Sequence, residues 1–141
     1  HQAIHVGLAV DTNGGLLVPV VRDVGQKSVR QIAAETSGLI DKAQNHRLSA
    51  DDLQGGTFTI TNLGMYGIDA FTPIINLPQC AILGVGRIVK KPAVVGDQVV
   101  PRQMVALSLT FDHRVVDGAP AARFLNMVRE FVEIPSLWLV G

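Results

Sequence analysis

A single cysteine, Cys80, rules out an internal disulfide and agrees with a reducing compartment. Set in the apolar run NLPQCAILGVG, it reads as a small buried hydrophobe rather than a reactive thiol. Charge is also scarce. Charged residues make up 17% of the 141 positions and cancel to a formal net charge of zero. With a pI near 7.1 the chain has no electrostatic footprint for nucleic acid or an anionic membrane. Apolar residues reach 48%, yet no run attains the roughly 18 consecutive apolar residues of a spanning helix. Gly, Pro or charge interrupts every apolar stretch within about ten residues. So apolar a chain, without a membrane span, is expected to bury surface against other subunits. No secretory signal is expected, and the 141 residues hold no internal repeat and no low-complexity tract. There is no initiator Met either. The chain opens on a strand-like stretch, as expected for part of a longer protein.

What is present reads as one α+β domain. AIHVGLAVD (3–11) and LLVPVVRDV (16–24) form a hairpin over Gly14-Gly15, with Pro19 favouring an edge or bulge. Ser28 and Gln31 have capping-box spacing and open a helix that runs to Asn45 or His46. SADDLQGG (49–56) is a short capped turn stopped by glycines. TFTITNL (57–63) is a strand with threonines outward against Phe58 and Ile60. Residues 64–79 form a Gly- and Pro-punctuated loop. Two strands, 80–95 (bent near its glycines) and 98–111, pair over Gly96-Asp97. An amphipathic helix over 119–134 turns Ala122, Leu125, Val128, Phe131 and Val132 inward, and PSLWLVG ends it.

The chemistry concentrates in FDHRVVDGA. GVG at 84–86 lacks the third glycine and the following helix of a dinucleotide fingerprint, so close backbone packing is the better reading. HRVVD begins like a kinase catalytic loop but has Val115 where that loop needs aspartate. His113 and Asp117 are four apart, but His1, His5 and His46 lie far off, too few and too distant for zinc. Two readings of the pair stay open. One is a surface pair with Asp117 capping the next helix. The other is an imidazole held partly desolvated at a strand end, with an ordinary pKa near 6.5 suited to proton transfer. The neighbouring charges would then fix its tautomer.

FDHRVVDGA resembles the His-Arg-x-x-x-Asp-Gly motif of the dihydrolipoyl acyltransferase component of 2-oxoacid dehydrogenase complexes. Residues 5–24, 55–86 and 100–118 resemble the same catalytic domain in the same order. The resemblance implies a chloramphenicol acetyltransferase-like fold, a mixed sheet flanked by helices, with residues 1–141 as one catalytic domain lacking its N-terminal part. It implies trimers with sites between subunits, and possible growth into a cubic or icosahedral core. It implies acyl transfer between a lipoyl thioester and coenzyme A, the lipoate riding on a separate domain. His113 matches the general base and Asp117 the aspartate that orders the site. Thr61 matches a position often occupied by an oxyanion-binding serine. No metal is implied. The implied partners are further copies, a 2-oxoacid decarboxylase and dihydrolipoyl dehydrogenase, in the bacterial cytoplasm or the mitochondrial matrix. TNLG at 61–64 leans toward acetyl or branched-chain substrates over succinyl. The rival classes are an oligomeric scaffold without turnover and a metal-dependent hydrolase.

Overall fold

The computed structural model describes residues 3–138. His1 and residues 139–141 of the tail lie outside the described residues. The elements are β1 (Val6–Leu8), β2 (Val10–Thr12), β3 (Gly15–Leu17), β4 (Val20–Val21), α1 (Val29–Gln44) and β5 (Phe58–Asn62), then β6 (Ala81–Val85), β7 (Val89–Val95), β8 (Gln98–Met104), β9 (Leu107–Phe111) and α2 (Gly118–Glu133). Five strands form the main sheet in the order β4-β1-β5-β6-β9. β1 runs parallel to β5 and β5 parallel to β6, while β4 and β9 are antiparallel edges. Each parallel pair needs a crossover. α1 lies in the first, and the 63–80 segment makes the second.

The expected hairpin is present. Its inner half is β1–β4 and its tip is the separate β2–β3 ribbon. Pro19 immediately precedes edge strand β4, where a missing N–H costs no ladder bond. α1 starts on the expected capping box. The Ser28 N–H donates to Gln31 Oε1 at 2.8 Å, and the Gln31 N–H donates to Ser28 Oγ at 3.3 Å. Leu39 and Ala43 bury its inner stripe, while Val29 is half exposed at the first turn.

Three expectations need correction. The strands drawn at 80–95 and 98–111 each divide, at 86–88 and 105–106. Their outer halves leave the sheet as the β7–β8 ribbon, closed at Gly96 with φ of 61°. The break has a steric cause. A Cβ on Gly86 would lie 1.9 Å from the Asp69 carbonyl oxygen, so backbone from the 63–80 segment occupies that space. The threonines of β5 do not all face outward. Thr59 is only 1% exposed, beneath the 63–80 segment. On α2, Ala121 is the buried residue, and Phe124 packs edge-on to Phe58 with ring centroids 5.8 Å apart. Leu125 and Val128 are half-buried as expected, but Ala122, Phe131 and Val132 are exposed. Ala122 and Val132 border an open 530 Å³ groove with Met104, Val105 and Leu107.

Candidate active site

β9 delivers His113. The strand ends at Phe111, whose partner on β6 is Ala81. The Asp112 N–H then donates to the Cys80 carbonyl at 2.8 Å, one last ladder-like bond. A tight turn follows, in which the N–H groups of Val115 and Val116 both donate to the Asp112 carbonyl. His113 heads this turn. Its ring lies 5.7 Å from that of Phe111, and its Nε2 would be 3.9 Å from a Cβ placed on Gly118. The absent side chain at the start of α2 therefore leaves room beside the imidazole.

The charges around His113 do not orient it. Asp112 accepts from the Arg114 backbone N–H at 2.9 Å and from its guanidinium at 2.7 to 3.2 Å. That grip holds the Asp112 carboxyl at about 2, well below the usual carboxylate range. Asp112 and Arg114 thus satisfy each other and shape the turn. Asp117 occupies the N-cap position of α2 but makes no side-chain capping bond. Among the described residues, His113, Asp117 and Thr61 form no side-chain hydrogen bond or ion pair. His113 is exposed, so the expected partial desolvation is not supplied by this chain alone.

Thr61 stands elsewhere. It lies near the end of β5, in register with Gly84 on β6, which is in register with Ser108 on β9. His113 is five residues beyond Ser108. At about 3.3 Å per strand residue and about 4.8 Å between strands, Thr61 and His113 are separated by roughly 15 Å or more. They belong to opposite ends of the sheet. The face above the Thr61 row is covered by the 63–80 segment, since a Cβ on Gly84 would meet Phe71 and Pro73 at 3.0 to 3.2 Å. The glycines of GVG thus serve close packing.

A 720 Å³ cavity opens at the His113 end, bordered by His5, Thr57, Gln79, Cys80 and Val115. Cys80 is half-buried there rather than enclosed. Among the described residues, no three His, Cys, Asp or Glu side chains come close enough to hold a metal. No helix there is long and apolar enough to cross a membrane. One residue went unread in the sequence. Thr59 shares a face with Thr61 by strand alternation, and its burial was hidden behind the polar character of threonine.

The mixed sheet with its two helices is the fold of an acyltransferase catalytic domain. The chain belongs to the 2-oxoacid dehydrogenases acyltransferase (catalytic domain) family, whose model matches residues 1–140. It is 53% identical over 129 residues to the dihydrolipoyllysine-residue acetyltransferase component of the Pseudomonas aeruginosa pyruvate dehydrogenase complex, covering 92% of this chain and 24% of the relative. The corresponding component of the Bacillus subtilis acetoin cleaving system is 43% identical, with 96% and 34% covered. The chain thus spans a quarter to a third of these relatives' length.

Azotobacter vinelandii dihydrolipoamide acetyltransferase has a solved structure matching with a TM-score of 0.94 and 48% identity, over 99% of this chain and 57% of that one. That structure addresses the role of one serine, one histidine and one asparagine in the catalytic mechanism. The serine precedes the histidine by 52 residues and the asparagine follows it by 4. A structure of the cubic core of the pyruvate dehydrogenase multienzyme complex matches with a TM-score of 0.94 and 47% identity, again over 57% of its chain. The expected fold is therefore the observed one.

Proposed function

We propose that this chain moves an acetyl group between the thioester of a lipoyl arm and coenzyme A, with His113 as general base and Thr61 as oxyanion donor. The observation that carries this is spacing. Thr61 precedes His113 by 52 residues and Asp117 follows it by 4, the offsets of the serine, histidine and asparagine studied in the Azotobacter enzyme. Within one chain the pair is too far apart to act on one carbonyl. The site is therefore completed by a second copy, whose Thr61 end meets the His113 end of the first. The exposure of His113 and the spare apolar surface on α2 support that arrangement, and contact between unlike ends of successive copies can close into a ring, which in this reading is a trimer. Growth of trimers into a cubic core follows the solved relative.

The chemistry needs no resident metal. A free thiol has a pKa near 8.5, so only a few per cent is thiolate at neutral pH. The His113 imidazole takes the thiol proton as sulfur attacks the thioester carbonyl, a service worth about 10² to 10⁴ in rate. The carbonyl oxygen becomes an oxyanion, and the Thr61 hydroxyl donates to it. Such donors are worth roughly 10² to 10³. When the tetrahedral intermediate collapses, His113 returns the proton to the departing sulfur. Thr61 in place of serine keeps the donor and stiffens its rotamer.

The lipoyl domain, the 2-oxoacid decarboxylase and dihydrolipoyl dehydrogenase are partners of the whole protein in this reading, in a bacterial cytoplasm or a mitochondrial matrix. Its catalytic role does not exclude a scaffold role in the same core. The test is acetyl transfer from acetyl-CoA to free dihydrolipoamide by the full-length protein. Activity that falls 10²-fold or more in both His113→Ala and Thr61→Ala is expected. Wild-type turnover in either variant contradicts the assignment of that residue.

A further inference from the structure

We propose that Thr59 is a positioning residue for Thr61, acting through a buried latch with Gln79. The inference rests on the role given to Thr61 above. Thr59 is the one buried polar side chain among the described residues, at 1% exposure. Its hydroxyl donates to Gln79 Oε1 at 2.7 Å, and Asn76 Nδ2 donates to the Thr59 hydroxyl oxygen at 3.5 Å. Both partners come from the 63–80 segment, the one that covers the Thr61 row. The surroundings make room for this pair. Gly7, in register with Thr59 on β1, would place a Cβ 3.0 Å from the Thr59 hydroxyl and 2.8 Å from Val18. A Cβ on Gly56 would lie 2.7 Å from Gln79 Nε2.

A polar pair in a core contributes little net stability over an apolar pair of the same shape, but it fixes one geometry. The segment it fixes is held at both ends. At the far end, the Gly64 N–H donates to Asn62 Oδ1 at 2.8 Å, and the Leu63 N–H donates to the Val85 carbonyl at 3.1 Å. Between those ends, Phe71 and Pro73 rest over Gly84, the strand neighbour of Thr61. Thr59 and Thr61 are two residues apart on one face of β5. Releasing the latch lets the cover shift over that face. The Thr61 hydroxyl then loses its fixed aim while substrate still binds.

The test compares Thr59→Val, Thr59→Ser, Gln79→Met and the Thr59→Val/Gln79→Met double variant in the full-length protein, beside Thr61→Ala. Thr59→Val keeps the shape and removes the hydroxyl. It should lower kcat about 10-fold with the KM for coenzyme A unchanged, and Thr59→Ser should restore kcat to within about twofold. The double variant should lose no more than the worse single one, because both break the same bond. A kcat for Thr59→Val equal to wild type, or independent losses that multiply in the double variant, would overturn the proposal. If Thr61→Ala itself retains full kcat, the role of Thr61 fails instead, so the two failures are told apart.

Discussion

Thr61 and His113 stand at opposite ends of one five-stranded sheet, Thr61 level with Ser108 and His113 five residues past it. Each copy therefore offers a hydroxyl at one end and an imidazole at the other. Copies that meet end to end would form one complete site per contact, and a lone copy would form none.

The first expectation follows from dilution. If sites exist only between copies, specific activity should fall as the assembly is dissociated, in step with the loss of trimer by analytical ultracentrifugation. Full activity in a monomeric fraction would contradict it.

Asp117→Asn should be nearly silent in stability. A working N-cap is worth about 0.5 to 2 kcal/mol, but Asp117 makes no capping bond and is exposed. The sequence alone had suggested a cap. The expected change in unfolding free energy is within about 0.5 kcal/mol, and the Azotobacter enzyme carries asparagine at this offset from its histidine. A larger loss in denaturant titration would restore the cap.

Gly86→Ala should be costly. The added Cβ would meet the Asp69 carbonyl oxygen at 1.9 Å, and that oxygen is main chain, so it cannot swing away. Overpacking of this kind costs about 1 to 3 kcal/mol or more. Differential scanning calorimetry should show Tm lowered by several degrees, and an unchanged Tm would refute the crossing.

The acid limb of stability should depend on Arg114. In the folded chain the Asp112 carboxyl titrates at about 2 because Arg114 grips it, whereas an unfolded aspartate titrates near 3.9. A depressed folded value means stability that is fully present above the unfolded pKa and lost as pH falls through the folded one. Arg114→Ala should therefore remove sensitivity that the parent shows between about pH 4 and pH 2. Identical acid unfolding curves for parent and variant would contradict the pairing.

Local elements were readable where local chemistry decides them. Ser28 with Gln31 marked the start of α1, and Gly96 with Asp97 marked the ribbon turn. Long-range choices were not. Nothing in the 51 residues between Thr61 and His113 reveals that β6 and β9 place them at opposite ends, because register across three strands comes from pairing far apart in sequence. The burial of Thr59 likewise depends on Gln79 folding back over it. The outward face of α2 at Ala122 and Val132 obeys the expected helical period, but the described residues supply no surface that covers it.

The shared site is tested most directly by complementation. His113→Ala and Thr61→Ala full-length proteins are purified apart, then dissociated and reassembled together, with subunit exchange confirmed by a mass tag. Alone, each should be depressed 10²-fold or more. In mixed assemblies some contacts pair an intact His113 with an intact Thr61, so acetyl transfer should rise well above the mean of the two separate variants. Confirmed exchange with no gain over that mean would contradict a site built from two copies.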